Sequence, residues 1–246
     1  MTEKRKDGRL PDQLRKVKIT RRINKFAAGS ALIETGDTKV LCSVSFEDRV
    51  PLFLRDSGQG WLTAEYGMLP SATPERSDRA NYTSGRSREI QRLIGRSLRS
   101  VLNLKHLGER MILVDCDVLQ ADGGTRTAAI NGSFIALVDA LVSLRKQAFL
   151  RIPLLKYQLA ATSVGIVGGK HYLDLDYQED SSAGVDCNVV MTSTDEFIEL
   201  QGTGEGVSFS RRDLDLLLTL AKKGSNELFT LQREISADDL AYLLGK

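Results

Sequence analysis

Two glycines, a threonine and an arginine are the residues of this chain whose types and spacing most clearly suggest chemistry. They lie in LQADGGTRTAAINGSF, residues 119–134, between a predicted strand and a predicted apolar helix. The first N–H groups of a helix have no partner inside it, and the helix dipole adds partial positive charge there. Glycine lets the backbone approach an anion, Thr125 adds a hydroxyl, and the Arg126 fork fits phosphate oxygens. Gly124, Thr125 and Arg126 therefore predict a phosphate site at a helix N-terminus.

The same residues also fit a simpler structure, a tight turn in which Arg126 pairs with a nearby carboxylate such as Asp122. A second arginine favours the phosphate site. Arg86 stands at the start of a helix predicted over residues 86–103 and projects toward the apolar side of that helix. A charge at that position either caps the edge of the core or meets an anion in a cleft.

Two carboxylates, Asp180 and Asp186, form the second candidate group, in YQEDSSAGVDCNVVM, residues 177–191. We expect Asp180 at the end of one strand and Asp186 at the start of the next, so that a short connection brings both to one sheet edge. Such a pair can hold Mg²⁺, which prefers oxygen ligands, or one member can act as a general acid if the other raises its pKa. Ordinary turn chemistry, in which Asp and Ser are common, explains the same residues without a function.

The helix predicted over residues 86–103 also separates its arginines from its apolar side chains. With about 100° between successive residues, one stripe of this helix carries Arg88, Arg92, Arg96 and Arg99. The other side carries Ile90, Leu93, Ile94 and Val101. We interpret the arginine stripe as a solvated or phosphate-facing surface, or as a contact between subunits.

The elements that position these residues come in a similar order twice. The first half is predicted to hold a strand, a hairpin, a helix, a buried strand and a buried helix, over residues 17–23, 30–46, 86–103, 110–120 and 126–146. The second half is predicted to hold a hairpin, two strands and two helices, over residues 158–176, 185–191, 196–202, about 211–223 and about 236–244. VDCDV at 114–118 is echoed by VDCNV at 185–189, which allows an internal repeat without requiring one. Hairpins followed by helices predict mixed sheets covered by helices, an α+β fold.

The composition is that of an ordinary globular protein. The chain has 246 residues, 41% hydrophobic and 27% charged, which fits one large domain or two fused halves. Its apolar runs stay short of the ~20 residues that cross a membrane, and its polar first residues do not resemble a secretory signal. Cys42, Cys116 and Cys187 stand in apolar stretches without metal-ligand spacing. We therefore expect reduced core cysteines in a cytoplasmic protein with no membrane association.

The net charge of +2 hides an asymmetry. Residues 1–25 carry ten Lys or Arg and three Asp or Glu, so the remainder of the chain is negative. A basic arm of this kind is either an electrostatic footprint for a polyanion or a solvated tail. Residues 70–85 form a polar loop longer than a connection needs, and such loops often carry function.

Taken together, several stretches of the chain resemble the ribonuclease PH family of phosphate-dependent exoribonucleases. The motifs keep the family's order from about residue 16 to 225: GDTKVLCSVS, GQGWLTAEYGMLP, EIQRLIGRSLR, VDCDVLQADGGTRTAAINGSFIALVDAL, SVGIVGG, EDSSAGVDCNVVMT and ELQGTGEG. The resemblance implies the ribonuclease PH-like fold (ribosomal protein S5 domain 2-like), with two related β-rich halves and helices packed on mixed sheets. It also implies one such domain over residues 1–246, with a basic N-terminal arm at about 1–15, and a homohexamer built as a trimer of dimers.

The resemblance further implies a reaction in which inorganic phosphate attacks the 3′-terminal phosphodiester of RNA and releases a nucleoside diphosphate. The implied substrate is the 3′ end of transfer RNA precursors, and the reverse reaction adds nucleotides. The family's phosphate-binding residues correspond here to Arg86, Gly124, Thr125 and Arg126. Its acidic pair, assigned to metal binding or proton transfer, corresponds to Asp180 and Asp186. The implied cofactor is Mg²⁺, with Mn²⁺ as an alternative, and inorganic phosphate is the co-substrate.

The loop after GMLP departs from the family's pattern. This loop is usually more basic and contributes to transfer RNA contacts. Here Arg76 and Arg79 remain, but Ser71 stands where the family commonly has arginine, and Glu75 and Asp78 add acid. Because phosphate contacts supply much of the affinity for nucleic acid, we expect a weaker or altered grip on the body of transfer RNA. The other arginines that the resemblance suggests for RNA binding are Arg92, Arg96 and Arg99.

Three classes of function compete for this sequence. The first is an active phosphorolytic exoribonuclease, the second a non-catalytic RNA-binding ring subunit of an exosome-like assembly, and the third an enzyme acting on a small nucleotide. Non-catalytic relatives typically lack parts of the phosphate turn or the acidic pair, which this chain retains. The basic arm and the arginine stripe favour a polymer over a small nucleotide. The sequence therefore favours the first class.

Overall fold

Two sheets and five α-helices make up the part of the chain that the structure, a computed structural model, describes: residues 5–145 and 153–245. The first sheet has the order β1-β2-β3-β5-β4. Its strands are β1 (Val17–Arg21), β2 (Gly29–Thr35), β3 (Thr38–Glu47), β4 (Trp61–Met68) and β5 (Met111–Gln120). Neighbouring strands run antiparallel except β4 and β5, which are parallel.

The second sheet is antiparallel and has the order β7-β6-β8-β9. Its strands are β6 (Leu159–Val167), β7 (Lys170–Leu173), β8 (Val185–Thr192) and β9 (Phe197–Gly204). The helices are α1 (Gly85–Val101), α2 (Leu104–Leu107), α3 (Thr125–Arg145), α4 (Tyr177–Ser182) and α5 (Arg211–Leu243). Short 3₁₀ helices lie at Leu52–Leu54 and Arg79–Thr83. The described residues confirm the predicted α+β class.

Helix α3 joins the two sheets into one core. It contacts β2 and β3 of the first sheet and β6 of the second, and its side chains Ile130, Phe134 and Ile135 are fully buried. Each such burial stabilises the fold by about 1.5–3 kcal/mol. A Cβ at Gly132 would lie 2.8 Å from Cys42 Sγ, so glycine allows the close approach to the first sheet. α3 is long and apolar enough to cross a membrane, but 89% of its most apolar window is buried inside the protein, as in a core helix.

Most of the predicted elements are present. The predicted hairpins are β2–β3, which turns at Gly36, and β6–β7, which turns at Gly168 and Gly169. Helix α3 matches the predicted buried helix up to residue 145, with residue 146 outside the described part. The three cysteines are buried and free. The strands that carry the echoed motifs, β5 and β8, are both interior strands of their sheets. However, β5 has a parallel neighbour and β8 has none, so the two halves agree in order but not in every pairing.

Helix α5 corrects part of the prediction of two C-terminal helices. Its first segment starts at Arg211 as predicted but continues well past the predicted end at about residue 223. At Ser236 the backbone angles are non-helical (φ −150°, ψ 31°), and this bend separates a last helical segment close to the predicted range of about 236–244. Gly224, just after the predicted end of the first helix, lies inside α5, where an added Cβ would be 2.9 Å from Leu173 Cδ1. Close packing therefore explains this glycine. At the bend, the Ser236 hydroxyl donates to the carbonyl of Gln232 (2.6 Å), a type of bond that bends helices.

Two elements beside the cleft described below were not predicted. Strand β4, WLTAEYGM, buries Leu62, Ala64 and Tyr66 in alternation, the pattern of a half-buried strand. Helix α4 begins with a capping box, in which the Asp176 carboxylate accepts from the N–H of Glu179 (2.9 Å) and the Glu179 carboxylate accepts from the N–H of Asp176 (3.1 Å). The expectation that Asp180 ends a strand is therefore wrong.

The N-terminal arm, residues 5–15 of the described chain, lies against the second sheet. The carbonyl of Pro11 accepts a hydrogen bond from the N–H of Leu173 at the end of β7 (2.8 Å). The arm's arginines are almost completely buried, and their charges meet Asp174 and Glu179. These arginines are Arg5, Arg9 and Arg15. Their charges are neutralised within the protein, which corrects the interpretation of the whole arm as either a polyanion footprint or a solvated tail.

Candidate active site

A cleft of about 880 Å³ opens where the N-termini of α1 and α3 meet α4, β8 and β9. This volume lies within the range of about 300–1,000 Å³ that is typical of small-molecule sites. The residues predicted for phosphate and metal chemistry all line it. The first half of the chain contributes Arg86, Gly124, Thr125 and Arg126, and the second half contributes Asp180 and Asp186. The cleft therefore brings together two groups of residues that lie more than 50 positions apart in the sequence.

The turn before α3 requires both of its glycines. Gly123 and Gly124 have φ angles of +73° and +65°, a region that favours glycine. A Cβ at Gly123 would also lie 2.6 Å from the backbone of Asp176, because the turn packs directly against the start of α4. The Thr38 hydroxyl donates to the carbonyl of Gly123 (2.7 Å) and fixes the turn to the first sheet. The start of α3 thereby forms part of the cleft wall.

The two arginines of the cleft keep donors that the protein does not use. Arg126 Nη1 donates to Gln201 Oε1 (3.2 Å) and lies 3.7 Å from Glu89 Oε1. Asp122, its partner in the simple turn interpretation, instead accepts from a backbone N–H at the start of α4 (3.4 Å). The Arg86 guanidinium makes neither a hydrogen bond nor an ion pair with any residue that the structure describes. A guanidinium has five N–H donors, so both side chains can bind an anion.

Thr125 is held by a tyrosine that was not predicted to matter. Its Oγ1 lies 2.8 Å from the hydroxyl of Tyr66 on β4, and both residues are buried. Burial raises the pKa of Tyr66, so this hydroxyl stays protonated at neutral pH. With Tyr66 as the donor, Thr125 keeps its own hydrogen for an anion.

The acidic pair lies across the cleft from the arginines. Asp186 starts β8, as predicted, and Asp180 lies on α4. Partial burial and the neighbouring charge of Asp186 raise the pKa of Asp180, although Arg126 and Arg86 act in the opposite direction. The four charged groups are therefore close enough to influence one another's protonation.

The donor chemistry of this wall fits a hard divalent cation. Asp180 and Asp186 offer carboxylate oxygens, the ligands that Mg²⁺ prefers, and Glu205 lines the same cleft. No group of three or more His, Cys, Asp or Glu side chains with ligand geometry occurs in residues 5–145 and 153–245. A pair of carboxylates such as Asp180 and Asp186 is typical of Mg²⁺ sites, in which one or two carboxylates combine with water and substrate phosphates.

The arginine stripe of α1 does not join the cleft. Arg92 and Arg99 line a separate depression beside Trp61, and Arg99 stacks on that ring at 4.4 Å. Arg96 forms an ion pair with Glu199 of β9 (2.7 Å) and so links the two halves of the chain. The loop arginines Arg76 and Arg79 are exposed and do not line the cleft either. These five arginines remain predictions for RNA binding outside the reaction centre.

Several polar residues of the cleft were missed. They are Ser163, Asn188, Gln201, Thr203 and Glu205. Side chains two positions apart in a strand share a face. Asp186 therefore predicts Asn188 on the same face of β8, and the same spacing links Gln201 with Thr203 on β9. That signal was present in the sequence.

Comparison with solved structures shows how widely this fold occurs. Rrp46 from rice (Oryza sativa) is 22% identical, with a TM-score of 0.77 over 93% of this chain and 98% of that one. An Archaeoglobus fulgidus exosome structure with RNA bound to the active site gives 23% identity and a TM-score of 0.80 over 92% of both chains. An archaeal exosome core gives 21% identity and a TM-score of 0.75, covering 94% of this chain and 90% of that chain. At these identities the likeness shows a shared fold, which is the ribonuclease PH-like fold that the sequence predicts.

Comparison with family models accounts for most of the chain. Residues 13–143 match the first domain of the 3′ exoribonuclease family, and residues 157–224 match its second domain. Each match contributes one side of the cleft, since the phosphate turn lies in the first and the acidic pair in the second. The chain therefore belongs to the 3′ exoribonuclease (ribonuclease PH) family.

Proposed function

We propose that the protein is an active phosphorolytic 3′-to-5′ exoribonuclease whose reaction takes place in the cleft. The observation that carries this proposal is the meeting of two arginines with unused donors, a helix N-terminus and two carboxylates in one cleft. A phosphate dianion that approaches an anionic diester is repelled. Fixed positive charge at the point of approach offsets that repulsion.

The proposed reaction is an in-line displacement at phosphorus. An oxygen of inorganic phosphate forms a bond to the phosphorus of the last phosphodiester. The bond from that phosphorus to the 3′-oxygen of the preceding nucleotide breaks, and the departing oxygen takes up a proton. Arg86, Arg126 and the first N–H groups of α3 hold the attacking phosphate, because phosphoryl transfer depends mainly on positioning and charge stabilisation.

Asp180 and Asp186 would hold a divalent cation, Mg²⁺ or Mn²⁺, on the opposite wall. When bound, such an ion supplies positive charge for the departing 3′-oxygen. The Asp180 carboxyl is also placed to exchange a proton with solvent in the cleft, since its residue lies on the exposed face of α4.

The products of RNA degradation test the proposal. The protein with Mg²⁺ is incubated with RNA, with and without inorganic phosphate, and the released mononucleotides are identified. We expect nucleoside diphosphates only when phosphate is present. Nucleoside monophosphates released without phosphate would mean hydrolysis and would contradict the role given to the arginines.

We further propose 3′-extended transfer RNA precursors as the substrate and a homohexamer as the active assembly. The support is the resemblance of the motifs over residues 16–225. A 3′-extended transfer RNA is compared with an unstructured RNA of equal length. Trimming of the first that stops near the mature end, with complete degradation of the second, supports the transfer RNA proposal.

A second candidate function is that of a subunit in an exosome-like ring. The observation that favours it over transfer RNA trimming is that two of the neighbours described above are exosome structures. The complete phosphate turn and acidic pair favour a catalytic over a non-catalytic subunit. The mass of the purified protein in solution, measured together with RNA binding and nucleotide release, separates the candidates. A six-chain homo-oligomer that releases nucleotides by itself supports the first candidate, and a protein that binds RNA but neither assembles into six chains nor releases nucleotides by itself supports the second.

A further inference from the structure

We propose that Arg15 is a positioning residue that ties the phosphate-binding turn to helix α4 and so fixes the spacing between the cleft's arginines and Asp180. This inference rests on the proposed function, because it concerns the geometry of the same cleft. Arg15 does not line the cleft, and 7% of its surface is exposed. It therefore acts through the residues it holds.

The Arg15 guanidinium bridges two segments from different halves of the chain. On one side, Nε and Nη2 donate to the two carboxylate oxygens of Asp174 (3.0 and 2.6 Å). On the other side, Nη1 donates to the carbonyl of Asp122 and Nη2 lies 3.5 Å from the carbonyl of Gly123. Asp122 and Gly123 immediately precede the phosphate-binding residues, and Asp174 precedes the N-cap of α4 by two positions. One planar side chain thus fixes both walls of the cleft from behind.

Asp174 is itself held in an uncommon conformation. Its φ angle of +55° is unfavourable for a residue with a side chain and persists only where the surroundings enforce it. Its N–H donates to the carbonyl of Ser163 (2.7 Å), and its carboxylate accepts from the N–H of Arg15 (2.8 Å) as well as from the guanidinium. The backbone therefore turns into α4 at a point that the arm controls.

Arg5 makes a second attachment between the N-terminal arm and helix α4. It forms a bidentate ion pair with Glu179, the residue that precedes Asp180 and completes the capping box of α4. It also donates to the carbonyls of Leu173 (2.5 Å) and Asp174 (2.8 Å). Arg5 and Arg15, which we call the arginine clamp, hold both ends of the segment from Leu173 to Glu179.

The positioning role of Arg15 depends on its burial, as a comparison with the neighbouring Lys16 shows. Lys16, next to Arg15, carries the same charge and is exposed. If the charge of Arg15 acted on RNA at long range, the equal charge of Lys16 would have the same effect. A fork that bridges a carboxylate and two carbonyls is specific to arginine at position 15, because lysine is a point charge.

The test compares Arg15→Met, Arg15→Lys and Lys16→Met with the wild type in steady-state phosphorolysis at varied phosphate, alongside urea unfolding. We expect kcat/KM for phosphate to fall by roughly 10- to 100-fold in Arg15→Met, as for a misplaced catalytic group, and to stay within about twofold in Lys16→Met. Arg15→Lys should regain most of the unfolding midpoint, since it keeps a charge for Asp174, but not the kinetics. If Arg15→Met does not fold, the Arg15→Lys comparison decides.

Two results would overturn the proposal. If kcat/KM recovers in Arg15→Lys together with stability, Arg15 acts only as a structural charge. If kcat/KM falls as far in Lys16→Met as in Arg15→Met, the arm acts on RNA by long-range electrostatics. A wild type without phosphate-dependent release would contradict the proposed function instead. Phosphate binding to the turn is then measured as the phosphate-dependent rise in Tm. A rise in wild type that is lost in Arg15→Lys still supports the clamp, and an equal rise in both refutes it.

Discussion

The arginines of the N-terminal arm and those of the cleft are the same residue type in opposite settings. Arg5 and Arg15 are buried and direct their donors to carboxylates and carbonyls of the chain. Arg86 and Arg126 line the cleft and keep donors for a ligand. The number of basic residues in a segment therefore does not locate a polyanion site. What distinguishes a ligand-binding arginine is the number of its donors that the protein leaves unsatisfied.

The two settings also differ in what their charges do for stability. Burial lowers the pKa of a guanidinium, yet the hydrogen bonds and charge of Asp174 raise the pKa of Arg15 overall, so the pair stays ionised. In the cleft, burial and Asp186 raise the pKa of Asp180, so the ionised Asp180 carboxylate lowers the stability of the folded protein. We therefore expect changes in the arm to lower stability, and changes in the cleft to lower activity while leaving stability equal or higher.

The largest expected effect comes from Asp180→Asn. We expect kcat to fall by about 10²–10⁴, the range for loss of an acid–base or ligand group, while RNA binding stays nearly intact in a filter assay. The unfolding midpoint should rise, because the unfavourable charge is gone. Loss of RNA binding together with activity would contradict the role given to Asp180.

The pH dependence of that stability gain has a definite sign. The pKa of Asp180 is raised in the folded protein, so its stabilising contribution is full below the unfolded pKa and is lost as pH rises through the folded pKa. The advantage of Asp180→Asn over the wild type in metal-free buffer should therefore appear as pH rises and vanish in acid. A constant advantage at all pH values would point to packing instead of charge.

Arg126→Ala should give the next largest effect. Removing one preorganised donor to a transferring group costs about 10²–10³ in rate, and we expect that loss in kcat/KM for phosphate. The unfolding free energy should change little, because the partners of Arg126 in the cleft are Gln201 and a distant Glu89. Arg211→Ala, at the exposed start of α5, is the matched control. If Arg126→Ala unfolded the protein, Arg126 would have a structural role like that of the arginines of the arm.

Arg5→Met should show the opposite pattern. Removing one partner of a buried ion pair costs about 3–5 kcal/mol, and we expect about 3 kcal/mol of unfolding free energy because Glu179 keeps some exposure. Lys6→Met, which removes an adjacent exposed charge, should cost less than about 0.5 kcal/mol. Chemical denaturation measures both. Equal costs would show that Arg5 behaves as a surface residue.

Ser71→Arg is expected to have the smallest effect. The residue is exposed, so an arginine there can reach a phosphate of bound RNA without disturbing the core. One added phosphate contact should steepen the slope of log K against log salt by about 1 for transfer RNA. An unchanged slope in a filter-binding salt series would remove this loop from the contacts with the transfer RNA body.

The sequence predicted the cleft residues better than it predicted their supports. The phosphate turn and the acidic pair are short polar motifs with recognisable chemistry, and their meeting in one cleft follows from the family's fold. The place of Asp180 on a helix was missed, although D-x-x-E at 176–179 is a capping-box pattern. The burial of the arm's arginines could not be predicted, since their partners Asp174 and Glu179 lie more than 150 residues away. The predicted end of a helix at about residue 223 was wrong, because only the packed structure shows Gly224 against Leu173 inside α5.

The central claim is that the cleft directs inorganic phosphate onto the RNA 3′ end. The most direct measurement supplies phosphate labelled with ¹⁸O at all four oxygens and follows the label by mass spectrometry. The proposed displacement predicts nucleoside diphosphates in which the β-phosphate and its bridging oxygen carry the label, formed by the wild type and almost absent with Arg126→Ala. Unlabelled mononucleotides, or labelled product formed equally well by Arg126→Ala, would contradict it.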